Sequence, residues 1–462
     1  MKAKLRYWMT ALALLLSLSV TAQSIKWRDI YTVKKKDTVF GIANKYGLTL
    51  PELMEANPDM KKEGYVLKKG DTLFIPYEKN AKPAAGQSAS TTASTATNAQ
   101  SSVSSKVPAA KAGAVKIGVM LPLHDVDGDG KRMVEYYRGI LMACDALKKQ
   151  GVSTDIHAWN VPIDADIRTT LLQEGANQCD VIFGPLYSKQ VAPLAGFCKT
   201  YGIKMVIPFS INGNDVDNNK EIFQVYQSPE TLNEAAIKAF MNRFTNVHPI
   251  FVDCNDSTSR KGNFTFGLRK QLESKKINYS ITNINSSIEQ FAKAFVPSKQ
   301  NVVILNTGRM PQLTQVLNKL DEFDSKYPGA IISLYGYTEW LMYAKYNMER
   351  FYKYDTYIPS TFYYNANSAE TQALERTYKQ WFHQPMQVAM PRFALIGYDH
   401  AMFFINGLHM QGKNFASSDR MQNDKPVQTP LRFFRTSKGG YRNTCFQLIH
   451  YTFNKQIEAI NY

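Results

Sequence analysis

The side chains best suited to move protons near neutral pH or to hold a metal are the seven histidines, His124, His157, His248, His383, His400, His409 and His450. Their spacing forms no His-Glu-x-x-His pair, and the chain carries neither Gly-x-Ser-x-Gly nor a phosphate-cradling glycine loop. His400 and His409 fall in one helical stretch among apolar neighbours, the setting of packed imidazoles. The five cysteines, Cys144, Cys179, Cys198, Cys254 and Cys445, are odd in number and scattered through apolar segments. They spell neither a disulfide framework nor a metal cluster and are read as buried thiols. Residues 125–131, Asp-Val-Asp-Gly-Asp-Gly-Lys, have the acid spacing of a calcium loop. The position that should supply the closing glutamate is Tyr136, with Glu135 one residue early, so a solvated turn is expected instead. The reading is a protein without catalytic residues, metal or cofactor, whose chemistry is recognition by short polar groups at loop ends.

The elements that would position such groups fall into blocks. Lys2, Lys4 and Arg6 precede an apolar run, 11–20, that ends in Val20-Thr21-Ala22. This predicts a secretory leader over 1–22 and export to the periplasm or cell envelope. The run is about half the roughly 20 residues that span a bilayer, and no cysteine stands at the cleavage point to carry a lipid. From 81 to 114, Ala, Ser, Thr, Gln and Lys replace nearly every large apolar residue. Such a stretch cannot bury enough surface to offset its ordering entropy, so a disordered linker is expected, with a span of roughly 30–35 Å. At 462 residues, with 44% hydrophobic and 12% aromatic content, the chain exceeds one compact core. The net charge of +16 suits anionic envelope surfaces. Without an arginine-rich stretch interleaved with aromatics, it does not suggest nucleic acid.

Between leader and linker, 23–80, the pattern is strand, helix, helix, strand. Residues 30–33 are β-prone, Thr38 can cap a helix with Val39, Ile42 and Ala43 on one face, and Gly47 can stop it. Thr49 and Pro51 open a second helix that ends before Pro58, and 72–75 return as a strand. Tyr31-Thr32-Val33, Asp37-Thr38-Val39, Ile42 through Gly47, Leu53, Asn57-Pro58 and Gly70 through Pro76 together resemble the LysM family. Lys36 departs from it where the family has glycine. The resemblance implies binding of N-acetylglucosamine-containing glycan, hence peptidoglycan, by Asp37, Thr38, Val39 and Phe40 on one side and Asn57, Pro58, Asp59 and Met60 on the other.

From 115 to 462, apolar strands alternate with amphipathic helices, the mark of a parallel α/β architecture. Strands are predicted at 115–120, 155–159, 181–183, 204–207, 222–226, 249–252, 302–305 and 331–335, and helices at 136–149, 191–201 and 231–244. Residues 431–434 and 444–454 flank Gly439-Gly440 as an expected hairpin. Two doubly wound α/β lobes suit this length. Lys116 through Leu123, Tyr137-Arg138-Gly139-Ile140, Cys179 through Ser188, Ile203 through Ser210 and Gly397-Tyr398-Asp399 resemble, in that order, the type I periplasmic binding proteins, the leucine/isoleucine/valine-binding group. The resemblance implies a ligand cleft in which Ser188 and Ser210 hold an anion; Thr307 and Gly308, after strand 302–305, and Glu339, after 331–335, stand at carboxyl ends of second-lobe strands, where they are expected to meet the other end of an amino acid or peptide. Phe209 and Ile211 are bulkier than the residues of amino-acid binders at that turn. The expectation is a wall-tethered sensor or scaffold that binds a small ligand or an envelope protein. The alternative is the amino-acid-binding component of an ABC transporter.

Overall fold

The computed structural model describes residues 27–76, apart from 36, 47, 49, 58–59 and 61–66, together with 113–209, 213–416 and 425–462. The expected leader, nearly all of the linker, Lys36 and Gly47 lie outside these residues. Among the described residues, no helix is long and apolar enough to cross a membrane.

The small unit is a two-stranded antiparallel sheet, β1 (Trp27–Thr32) against β2 (Thr72–Pro76), with Tyr31 opposite Leu73. Two short helices, α1 (Val39–Lys45) and α2 (Leu50–Ala56), lie between the strands. Each element is too short to be stable alone. Burial of Tyr31, Val33, Ile42, Ala43, Leu53, Leu73 and Ile75 in one core holds them together.

The large unit contains two seven-stranded sheets. In the first lobe β3 (Val115–Leu121), β4 (Thr154–Asn160), β5 (Val181–Phe183), β6 (Lys204–Ile207) and β7 (Ile222–Gln224) are parallel in the order β4-β3-β5-β6-β7. The second lobe repeats that order as β9-β8-β10-β11-β12, from β8 (Val247–Asp253), β9 (Ser280–Asn283), β10 (Gln300–Leu305), β11 (Ile332–Tyr335) and β12 (Thr356–Ser360). The strand order reverses beside β3 and beside β8, the places where open α/β sheets leave a crevice at the carboxyl ends of their strands. Strands β5, β6, β7, β11 and β12 are buried throughout, as expected for sheets covered by helices on both faces.

The C-terminal strands correct one expectation. The hairpin pairs β13 (Phe433–Arg435) with β14 (Tyr441–Asn443), and β14 joins β7 in the first lobe. β15 (Gln447–Tyr451), expected as the hairpin's second strand, lies antiparallel to β12 in the second lobe and pairs with β16 (Ile457–Asn461). The intervening Thr444 to Phe446 segment is thus a crossing between lobes rather than part of a strand. The chain crosses twice more, between β7 and α6 (Pro229–Arg243), and between β12 and the pair α11 (Ala369–Phe382) and α12 (Phe393–Gln411). Gln227 Nε2 donates to the Cys445 carbonyl at 2.7 Å, tying the first crossing to the third.

The first long helix, α3 (Gly128–Lys149), begins eight residues earlier than periodicity predicts. Asp127 Oδ1 accepts from the Gly130 N–H at 2.7 Å, so the acidic segment is a turn that caps the helix. α3 crosses α12 at a notch made by two glycines. A Cβ on Gly139 would stand 1.8 Å from the Ala394 carbonyl oxygen, and one on Gly397 would stand 1.9 Å from that of Tyr136. Two residues further along α12, the buried Asp399 accepts the N–H groups of Val427 (2.8 Å), Gln428 (2.9 Å) and Thr429 (2.7 Å). The Gly-Tyr-Asp motif thus locks two helices and one loop of the first lobe.

Candidate functional site

In the small unit, several residues expected to contact glycan also build the loops they sit in. Asp37 Oδ2 accepts from the Lys34 N–H at 2.7 Å and from the Tyr31 hydroxyl at 2.8 Å. These bonds hold its carboxyl below the usual carboxylate range, the backbone bond contributing most. Thr38 Oγ1 accepts from the Gly41 N–H at 3.0 Å and caps α1. Val39 is half-buried against the core, and Phe40 is the second residue of α1. Asn57 is buried, and its Nδ2 donates to the Leu53 carbonyl at 2.8 Å, ending α2. The buried Met60 donates its N–H to the Asn57 carbonyl at 3.0 Å. Pro58 and Asp59 lie outside the described residues.

In the large unit, the loops beyond β8 and β10 bring together a polar cluster. Thr307 is fully buried and donates its hydroxyl to Asp256 Oδ2 at 2.8 Å. Asp256 also accepts the Thr258 hydroxyl at 2.7 Å, and Arg309 lies 3.7 Å away. Hydrogen bonds from Thr258 and Thr307 lower the Asp256 carboxyl below its ordinary range. Thr307 is therefore already engaged with a carboxylate of its own lobe.

Glu339, immediately before α10 (Trp340–Lys353), faces a cation. Its Oε1 is 2.6 Å from Lys261 Nζ, which also sits 4.8 Å above the Tyr337 ring. Gly308 closes on this pair, since a Cβ there would be 3.4 Å from both the Glu339 carboxyl and Lys261 Cε. Lys261, Tyr337 and Glu339 line a cavity of about 390 Å³ whose other walls include Phe264, Met342 and Phe446. Lys261 escaped the sequence reading because it stands beside Arg260 at a helix start, where basic residues ordinarily face solvent.

The first lobe offers a different surface. Ser188 begins a single 3₁₀ turn, Ser188–Gln190, that leads into α5 (Val191–Tyr201), and it lines neither the 390 Å³ cavity nor its neighbour. Ser210 and Ile211 lie outside the described residues. The Phe209 ring packs at 5.3 Å from Tyr136 and 5.8 Å from Phe393, so this loop presents aromatic carbon. It borders a second cavity, about 290 Å³, which shares Leu232, Thr361 and Phe362 with the first.

The LysM domain family matches residues 31–76. Those residues are a LysM domain. Its two short strands and paired helices are the small unit described above. No curated protein matches the chain. Among solved structures, a proposed branched-chain amino acid ABC transporter protein from Rhodospirillum rubrum is 13% identical, with a TM-score of 0.51 over 75% of this chain and all of that one. LivJ from Streptococcus pneumoniae, a branched-chain amino acid transporter substrate-binding protein solved with isoleucine, is 16% identical over 76% of this chain and 99% of that one, with a TM-score of 0.37. At these identities the likeness is one of fold: the large unit has the two-lobed α/β fold of type I periplasmic binding proteins.

Proposed function

We propose that the protein is exported to the cell envelope, holds peptidoglycan through its LysM domain, and uses the two-lobed unit as a non-catalytic receptor for a small ligand or an envelope protein, acting as a wall-tethered sensor or scaffold. The observation that carries this reading is the LysM domain in the same chain as a binding-protein fold. A transport shuttle gains from free diffusion, whereas a sensor or scaffold gains from being held in place. Loss of residues 23–80 should move the chain from the pellet to the supernatant when it is centrifuged with purified peptidoglycan. Equal sedimentation of the full and shortened chains would refute the anchoring role.

A second reading, the amino-acid-binding component of an ABC transporter, is favoured by the likeness in fold to the Rhodospirillum rubrum protein, a proposed branched-chain amino acid ABC transporter. Two features weigh against it. An acid that receives a ligand ammonium should be open to it, yet Glu339 is paired with Lys261 at 2.6 Å. The aromatic packing of Phe209 also removes room from the turn where the ligand carboxylate would dock. Thermal-shift measurements with amino acids, peptides and muropeptides separate the readings, since a ligand at 100 times its dissociation constant adds about 2.7 kcal/mol.

A further inference from the structure

Two short stretches of the LysM unit share a pattern. Residues 34–37 read Lys-Lys-Lys-Asp and residues 68–71 read Lys-Lys-Gly-Asp. In each, the aspartate N–H donates to the carbonyl of the lysine three residues earlier, Asp37 to Lys34 at 3.2 Å and Asp71 to Lys68 at 3.1 Å. The aspartate Oδ2 in turn accepts that lysine's own N–H, at 2.7 Å for Lys34 and 2.8 Å for Lys68. Each turn is closed by two bonds that use backbone amides and a carboxylate, and neither uses an ammonium group.

The two turns lie side by side. The Val33 N–H donates to the Asp71 carbonyl and the Gly70 N–H to the Val33 carbonyl, both at 2.9 Å, so the pairing of β1 with β2 runs on into them. The first turn ends at Asp37, where the first of the expected glycan loops begins. The second leads from the other expected loop into β2.

Lys34, Lys35, Lys68 and Lys69 are all exposed, and among the described residues none of their ammonium groups makes an ion pair. Asp37 feels the charges of both Lys34 and Lys45 and also accepts the Tyr31 hydroxyl, so one acid is shared by two cations. Like charges on adjoining turns repel one another, and an anionic partner relieves that repulsion. A neutral chain of N-acetyl sugars does not supply such a partner. Peptidoglycan does, because its sugars carry peptides with free carboxylates.

We propose that this paired-turn edge binds the stem-peptide carboxylates of peptidoglycan, so that the LysM domain reads an acidic peptide together with the glycan that bears it. The inference rests on the LysM domain holding peptidoglycan, and it adds a selectivity that sugar contacts alone lack. Exposed ion pairs contribute about two-fold each, so four together give roughly a ten-fold preference. The charges face water, and salt therefore screens them, over a Debye length of about 10 Å at 0.1 M that shortens as salt rises.

The test sediments the full chain with intact peptidoglycan and with the same peptidoglycan after carbodiimide and ammonia have turned its carboxylates into amides. At about 50 mM sodium chloride the intact polymer should bind about ten-fold tighter, and at about 500 mM the two should bind alike. The net charge of +16 makes the whole chain sensitive to salt, so a variant assigns the effect to the two turns. With Lys34→Gln, Lys35→Gln, Lys68→Gln and Lys69→Gln combined, both polymers should bind within about two-fold of the affinity the parent has for the amidated form. Binding of the amidated polymer shows that the variant's LysM domain is folded, and the comparison made with the unmutated chain stands without the variant. Equal affinity of the parent for the two polymers at the lower salt, or a variant that keeps the preference, overturns the proposal while sparing the anchoring role. So does binding to vesicles of anionic phospholipid that needs the four lysines, without a preference between the wall polymers. Sedimentation with neither polymer removes both the proposal and the anchoring role.

Discussion

His400 is the residue through which acid should most directly reach the fold. It is fully buried, and desolvation lowers its pKa from the ordinary 6.5 to about 3. The unfolded chain therefore takes up a proton as pH falls below 6.5, while the folded chain does not until near 3. Stability that is fully present above 6.5 is lost progressively through that window. Between about pH 7.5 and pH 5 the loss from this one group comes to about 2 kcal/mol, at 1.36 kcal/mol per pKa unit. Asp399, one residue earlier, works in the opposite sense. Burial raises its carboxyl from 3.8 to about 7, against the three amide bonds it accepts, so its contribution is present below 3.8 and lost as pH rises through 7. The pH profile of the parent chain mixes the two effects. The difference between the parent and His400→Gln isolates the histidine, because Asp399 is common to both. Urea unfolding of both proteins at the two pH values, with unchanged slopes, should show the gap between them shifting by about 2 kcal/mol in favour of the variant at the lower pH. A gap independent of pH would show that the ring titrates alike in the folded and unfolded chains, and would refute the buried neutral imidazole.

Gly397→Ala places a methyl 1.9 Å from the Tyr136 carbonyl oxygen, forcing α3 and α12 apart; a loss of about 1–3 kcal/mol is expected in urea unfolding. Asp399→Asn turns an amide N–H₂ toward backbone donors, and at neutral pH it should cost about 1–3 kcal/mol and speed hydrogen exchange of Val427, Gln428 and Thr429. Thr38→Ala removes the cap on α1 and should lower the stability of the LysM unit by about 1 kcal/mol, read from a melt of that unit followed by its own tyrosines. Lys261→Met releases Glu339 from a half-exposed pair, so stability should change by less than about 1 kcal/mol. If the pair excludes amino acids, leucine should then give a thermal shift that the parent lacks.

The LysM elements were legible because their signals are local. Thr38 caps the helix that follows it, and Asn57 reaches back one turn to Leu53. The buried strands β5, β6, β10 and β11 were legible as short apolar runs. β9, Ser-Ile-Thr-Asn, and β12, Thr-Tyr-Ile-Pro-Ser, escaped because one is mostly polar and the other carries a proline near its end. Lys261 escaped because nothing near residue 261 announces Glu339, which reaches it only when the loops after β8 and β11 converge.

Sequence alone determined the order of the parts: a LysM pattern, a low-complexity stretch and an alternating α/β region. Each is written in composition or in periodicity over a few residues, where backbone preference and amphipathic burial act locally. Tertiary structure decided which strand crosses to which lobe, why α3 and α12 each need a glycine where they cross, and that the Tyr136 hydroxyl meets the His400 ring in the core. Those outcomes depend on groups up to 264 residues apart, whose meeting is set by the packing of whole sheets and helices rather than by the preferences of either neighbourhood.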